Sequence, residues 1–230
     1  MAARKRGIFA QAIAGVFKLI FGFVVVSVLL VVLFRFVPPP TTITMLTDSN
    51  GATRDWTPLD RIDRNMVSAA IAAEDGKFCS HSGFDREAIE DAVRRNAKGG
   101  RIRGGSTISQ QTAKNVFLWQ NGGFFRKGLE AYFTLLIETV WGKRRIMEVY
   151  LNVAETGIGT YGVEAGAQRY FGKGAASLSR DEAARMAAAL PLPKKRSVKN
   201  PSGFTRRYGN SIARRIRIVQ RDGLDACARP

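Results

Sequence analysis

From Leu19 to Phe34 the chain reads LIFGFVVVSVLLVVLF without a charge, and it continues through Arg35 to Phe36 and Val37. A helix needs about 20 residues to cross the hydrocarbon core of a bilayer, and the stretch from Leu19 to Val37 meets that need, with Arg35 near enough to the far end to snorkel. The run is apolar on every side, whereas a core helix of a soluble domain keeps a polar stripe. Val37-Pro38-Pro39-Pro40 offers no small-residue cleavage site, so the reading is an anchor and not a cleaved signal peptide. Arg4, Lys5, Arg6 and Lys18 lie on the N-terminal flank, which predicts a cytoplasmic N-terminus and a chain that continues on the opposite face. The organisation that follows is a basic tail over residues 1–18, a transmembrane helix over 19–37, a linker over 38–57 and one folded domain over 58–225.

Within the linker, Pro38-Pro39-Pro40 makes a stiff extended spacer, and the alternation of Thr41 to Thr47 predicts a short strand before the turn Asp48-Ser49-Asn50-Gly51. The rest reads as helices. Met66, Ala69, Ala70 and Ala73 recur at helical spacing. Asp85 is placed to cap a second helix with the stripe Ala88, Ile89, Ala92 and Val93, ending at Gly99-Gly100. Leu129, Phe133, Leu136, Ile137 and Val140 mark an amphipathic core helix, and Ile146, Val149 and Tyr150 begin another. Ser179 with Glu182 is a capping-box signature for an alanine-rich helix that stops before Pro191. A last helix, about Arg206 to Arg221, sets Ile212, Ile216 and Val219 against many arginines.

A formal net charge of +17 means that the surface attracts an anionic partner, whether nucleic acid, acidic lipid headgroups or a phosphate-bearing substrate. A domain sent out of the cytoplasm argues against nucleic acid. Cys79 and Cys227 have no CxxC partner, and with His81 as the sole histidine they do not compose a zinc site; no metal-ligand set is read from the sequence. In an oxidising compartment the two cysteines would close one long loop, and in the cytosol they would be free thiols. The sequence leaves both open.

Four stretches carry chemistry. In the first, an alanine-rich helix runs into Glu74 and Asp75, with Phe78, His81 and Gly83 just beyond. Ala69, Ala70, Ala72 and Ala73 permit close packing and Gly76 is the expected helix stop, so the acidic pair would sit at a helix end facing a cleft. Glu74 is the candidate base; alone, the pair would sooner read as a solvated helix terminus, and the downstream motifs reverse that. The second runs from Gly104 to Lys114, a glycine loop entering a helix. Thr107 and Gln110 suit a capping box, and Thr107, Gln110, Gln111 and Lys114 stand at i, i+3, i+4 and i+7, giving one polar face at a donor-rich helix end that suits a phosphate or a sugar. The third places Arg126, Lys127 and Glu130 on one helix face, as a cationic clamp or as a simple helical ion pair. The fourth, Lys143 to Asn152, mixes basic, apolar and amide positions and reads as scaffolding.

In this order and spacing the four stretches resemble the peptidoglycan glycosyltransferase family, which polymerises the lipid-linked cell-wall precursor lipid II. The likeness takes in an E-D-x-x-F-x-x-H-x-G pattern at Glu74, Asp75, Phe78, His81 and Gly83. It continues with G-x-S-T-I-x-Q-Q over Gly104 to Gln111, R-K-x-x-E at Arg126, Lys127 and Glu130, and the helix ending Tyr150-Leu151-Asn152. Among family members the chain is most similar to the monofunctional, membrane-anchored ones, because it has no S-x-x-K or K-T-G pattern of a transpeptidase. Ser109 stands where many members carry threonine, and Cys79 is outside the family pattern.

The resemblance implies a mainly α fold: a lysozyme-like helical domain with a small, mobile, membrane-facing lobe, preceded by one N-terminal transmembrane helix. It makes Glu74 the general base that deprotonates the sugar 4-hydroxyl of incoming lipid II, and sets Lys114, Arg126 and Lys127 around the leaving pyrophosphate. Glu130 joins Glu74 in the catalytic set as the residue that orients the clamp or helps hold a divalent ion, not as a second base. Asp75, Phe78, His81, Ser106, Thr107, Gln110 and Gln111 complete the substrate-binding set. No cofactor is obligatory; a Mg or Mn ion at the pyrophosphate is the one candidate. The implied partners are lipid II, the growing lipid-linked strand, the membrane and other cell-wall synthesis or division proteins, with no nucleic acid. The implied location is the bacterial inner (cytoplasmic) membrane, single-pass, with the catalytic domain periplasmic or otherwise extracytoplasmic. The competing readings are a lysozyme-like lytic enzyme and a non-catalytic, membrane-tethered basic module. One further segment, Phe117 to Phe125, has five large apolar side chains around Gly122-Gly123, and is read either as a loop that dips into the bilayer or as core.

Overall fold

The computed structural model describes residues 2–97 and 105–230, in two compact units, Met1–Val37 and Pro38–Pro230. The first unit is a single helix, α1 (Ala2–Phe36). Its stretch long and apolar enough to cross a membrane is the 26 residues Gln11–Phe36, roughly 39 Å at 1.5 Å per residue. It begins earlier than Leu19 and takes in Lys18, because nothing between Gln11 and Phe17 is charged or breaks a helix.

The second unit opens with a departure from expectation. Thr41 to Thr47 is not a strand; it holds the helical turn α2 (Ile43–Leu46), in which the Thr42 hydroxyl accepts the Met45 N–H at 3.2 Å and Met45 alone is buried. A threonine N-cap has won over a weak alternation. The turn after it closes with the Gly51 N–H on the Asp48 carbonyl at 3.0 Å. Next comes β1 (Thr53–Arg54), so the residues read as linker belong to the fold. It pairs in parallel with β3 (Thr160–Tyr161), which pairs antiparallel with β2 (Glu155–Gly157) in the order β1-β3-β2. These short strands were not read from the sequence.

The helices follow as α3 (Arg64–Glu74), α4 (Arg86–Ala97), α5 (Ile108–Phe117), α6 (Gly123–Val140), α7 (Gly142–Val153), α8 (Val163–Phe171), α9 (Arg180–Ala189) and α10 (Gly203–Arg221). Asp85 caps α4 through the Ala88 N–H at 3.0 Å; the expected stop at Gly99-Gly100, and Gly104 of the next motif, lie outside the described residues. Both predicted capping boxes are present, Thr107 with Gln110 on α5 and Ser179 with Glu182 on α9.

The core has two parts joined through the middle of the chain. α3 is buried without a break from Met66 to Ala72 and packs against α9 and α10. Its alanines let the neighbours approach closely, while Met66, Val67 and Ile71, each fully buried, contribute roughly 1.5–3 kcal/mol apiece. α10 turns Ile212, Ile216 and Val219 inward and Arg206, Arg214, Arg217 and Arg221 outward. The second part is α5, α6 and α7 packed on one another. Asn152 on α7 clips the chain before α3 in place: its Oδ1 accepts the Thr57 N–H and its Nδ2 donates to the Thr57 carbonyl, both at 2.8 Å. Gly162 starts α8 at φ +82, where a Cβ would stand 2.9 Å from the Asn152 carbonyl oxygen, so only glycine serves there. Cys79 and Cys227 are joined in a disulfide across 148 residues. Arg64 Nε and Nη2 bond both oxygens of buried Asp225 at 2.8 and 2.9 Å, so the C-terminal segment is held both to α3 and to the chain just beyond it.

Candidate active site

α3 carries Glu74 in its last turn, and the chain leaves the helix at Asp75, with φ −158°. Gly76, the expected stop, takes no left-handed conformation. The helix ends because the Asp75 carboxylate finds better partners outside it. His81 Nε2 lies 2.9 and 3.1 Å from the two Asp75 oxygens, and the N–H of Ile108, the first residue of α5, donates to Oδ2 at 3.0 Å. Since His81 Nδ1 accepts the Gly83 N–H at 3.1 Å, Nε2 is the nitrogen that donates to Asp75. Thr107 Oγ1 then donates to the Gly83 carbonyl at 2.7 Å. Phe78 is fully buried beneath, with Lys143 Nζ 4.6 Å from its ring centre.

Asp75, Phe78, His81, Thr107 and Gln110 therefore face inward and brace the end of α3 against the start of α5. Of the polar row predicted on α5, Gln111 and Lys114 line an open cleft of about 460 Å³, shared with Tyr150, Glu155 and Lys194. Gln111 Nε2 donates to Glu74 Oε2 at 2.8 Å. Glu74 Oε1 is buried and has no protein partner. Burial pushes the Glu74 carboxyl above its ordinary pKa; the Gln111 hydrogen bond and the charges of Arg196 and Lys114 partly oppose this, and Asp75 adds to it. Burial likewise pushes Lys114 down, with Glu130 opposing and Arg126 and Lys127 adding to the fall.

The third motif forms a compact ion cluster on α6. Arg126 Nη1 donates to Glu130 Oε2 at 2.7 Å, Lys127 Nζ pairs with Glu130 Oε1, and Lys127 also reaches Ser106 Oγ at 3.2 Å. The Glu130 side chain is 3% exposed against 45% for Lys127, so the anion is the buried hub and a cation faces water. Both Glu130 oxygens are taken by cations, and among the described residues no group of three or more His, Cys, Asp or Glu is placed to hold a metal ion.

The segment from Phe117 to Phe125 divides between the two readings. Phe117 stacks on Phe133 at 4.5 Å and Leu118 is buried, while Trp119, Phe124 and Phe125 are exposed, Phe124 at 98%. Asn121, Gly122 and Gly123 all have positive φ, and this tight turn puts the aromatic rings outside.

Sequence reading missed Arg196 and Tyr208 near Glu74, and placed Tyr150 only in the fourth, scaffolding stretch. Arg196 donates to the Ala188 carbonyl at 2.7 Å and lies over the rings of Phe204 and Tyr208. Tyr208 donates to the Ala73 carbonyl at 2.8 Å. The hydroxyl of Tyr150 is buried without a partner, and burial and the charges of Glu74 and Asp75 push its pKa up. The available signal was the run Lys194-Lys195-Arg196 directly after Pro191 and Pro193, which is far from Glu74 in sequence.

A half-enclosed carboxylate of raised pKa beside a row of cations suits proton removal from a neutral donor while an anion departs. Comparison with known proteins gives the family. The transglycosylase family model matches residues 41–219. The biosynthetic peptidoglycan transglycosylase of Caulobacter vibrioides is 52% identical over 203 residues, covering 87% of this chain and 89% of that protein. Its namesake in Rhodospirillum centenum is 50% identical over 210 residues, covering 90% and 91%, and that of Shewanella oneidensis 45% over 207, covering 87% and 89%. With most of its length matched in both directions, this chain belongs to the transglycosylase family.

Proposed function

We propose that the chain elongates glycan strands by inverting glycosyl transfer, with Glu74 as the general base. It is a peptidoglycan transglycosylase whose substrates are lipid II and the glycan strand. The 4-hydroxyl of the incoming lipid II gives its proton to Glu74 Oε1 and bonds to the anomeric carbon of the growing strand. The bond from that carbon to the lipid diphosphate breaks, and its electron pair leaves with the diphosphate. One displacement turns an α-linked donor into a β-linked product, so no sugar-enzyme bond forms.

The observation that carries this reading is the unequal pair of Glu74 oxygens: Oε2 is held by Gln111 and Oε1 is unpartnered. A carboxylate raised toward neutral pH by burial is a better proton acceptor than an exposed one. Lys114, Arg126 and Lys127 would take the charge of the diphosphate, with Glu130 holding the last two in place. A lytic enzyme has no use for such cations, and a binding module none for the carboxylate, so neither alternative is favoured. The helix α1 suits a membrane anchor; we place the second unit on the outer face of the bacterial inner membrane, with its N-terminus cytoplasmic, where lipid-linked substrate and enzyme share one bilayer. Trp119, Phe124 and Phe125 would meet the acyl region there. The test is labelled lipid II with the purified chain: wild type makes lysozyme-sensitive polymer, and Glu74→Gln loses ~10²- to 10⁴-fold in rate with its circular dichroism and Tm unchanged. Full activity in that variant would refute the assignment.

A further inference from the structure

The cleft lined by Gln111 and Lys114, and by Lys194 and Lys195, also holds two carboxylates, Asp48 and Glu155. Lys194 stands between these two but does not serve them equally. Its Nζ is 2.9 Å from Asp48 Oδ2, which also accepts the Tyr161 hydroxyl at 2.7 Å, and it is 3.6 Å from Glu155 Oε1. Asp48 is thus satisfied, and Glu155 Oε1 is a buried oxygen without a hydrogen-bond partner on a side chain only 15% exposed. Leaving such an acceptor empty is costly, and native folds rarely do so without a reason. The wall between is Leu190, Pro191, Leu192 and Pro193, apolar surface of the kind that covers the C–H face of a pyranose.

We propose that Glu155 is a substrate-positioning residue, its Oε1 accepting a hydrogen bond from a hydroxyl or acetamido N–H of the sugar bound beside Glu74. This rests on the transglycosylation reading above and adds a contact to the sugar itself. Lys194 bonds Asp48 and lies farther from Glu155, which leaves Oε1 of Glu155 for the sugar. The residue touches the ring and not the reacting bond, so its loss weakens the bound ground state and transition state alike, which is read in KM.

The test is steady-state polymerisation of lipid II by the full chain in lipid vesicles, with Glu155→Ala, Glu155→Gln and Glu74→Gln compared with wild type. Glu155→Ala raises KM about tenfold or more, the scale of one lost hydrogen bond to a charged group, and leaves kcat within about threefold. Glu155→Gln keeps the volume and an acceptor oxygen, and recovers part of the KM loss. A merely structural carboxylate would lower Tm and the active fraction, hence apparent kcat, without moving KM. An unchanged KM in Glu155→Ala overturns the proposal, whatever happens to Tm. If that occurs while Glu74→Gln is inactive, only this inference fails; if Glu74→Gln polymerises at the wild-type rate, the reading beneath it fails.

Discussion

The side-chain amide of Gln111 donates to Oε2 of Glu74 at 2.8 Å, joining the last turn of α3 to the second turn of α5. This single contact both aims the free Oε1 and holds the carboxyl pKa below where burial alone would leave it. The base works only when deprotonated, so activity is lost as pH falls through its pKa, and a higher pKa moves that loss to higher pH. The acid limb of kcat/KM in wild type is expected above the ~4.3 of an exposed glutamate. Gln111→Ala raises the pKa further, shifts the limb upward, and lowers the rate at neutral pH by about tenfold or more. A pH-rate profile on lipid II checks both; a limb that does not move in the variant would detach it from Glu74.

Glu130 is the buried partner of Arg126 and Lys127 and also supports the charge of Lys114. In Glu130→Ala these cations lose their common counter-charge, Lys114 falls further in pKa, and the clamp loses its geometry. We expect kcat to drop by about 10²-fold, the scale of losing an organised electrostatic contact in a transition state, in protein that still shows wild-type circular dichroism. Activity within twofold of wild type would mean that the cations are positioned without it.

The Cys79–Cys227 bond closes a loop of 148 residues and ties the segment behind Glu74 to the C-terminal turn. Loops of this size are worth roughly 4–5 kcal/mol in the chain-entropy model, and removal of a native bridge typically costs 2–5 kcal/mol. Urea unfolding with and without reductant should therefore show a large drop in the midpoint, reproduced by Cys79→Ala with Cys227→Ala. Identical midpoints would show that the bridge adds nothing to stability.

Trp119, Phe124 and Phe125 project from one turn, and a bilayer contact predicts collisional quenching of Trp119 by brominated acyl chains. With Trp56→Phe and Trp141→Phe as background, the full chain in brominated vesicles should lose a substantial part of its Trp119 emission, and Phe124→Ser with Phe125→Ser should restore it. Emission equal to that in unbrominated vesicles would leave these rings in water.

The helices with strong periodicity and the caps at Asp85, Thr107 and Ser179 were legible in the chain because each rests on contacts three or four residues apart. The inward stripe of α10 could be read for the same reason. Thr41 to Thr47 failed because its alternation was too short to outweigh one capping hydroxyl. The strands failed because pairs and triplets of residues have no period to detect, and β1 exists only through pairing with β3 more than a hundred residues away.

The site shows the same division. Sequence by itself determined that Glu74 and the cations of the second and third motifs occur in a family's order, and that an uncharged helix precedes them. It could not say which polar residues face the cleft, because the partners that hold Asp75 and Thr107 inward come from segments distant in the chain. Tertiary packing made that choice, turning these residues inward to satisfy buried hydrogen bonds and leaving one oxygen of Glu74 free. It also brought Arg196 and Tyr208 beside α3 and bonded Cys79 to Cys227. Local chemistry is written in residue order, but burial, and with it every shifted proton affinity, depends on which distant segments exclude water.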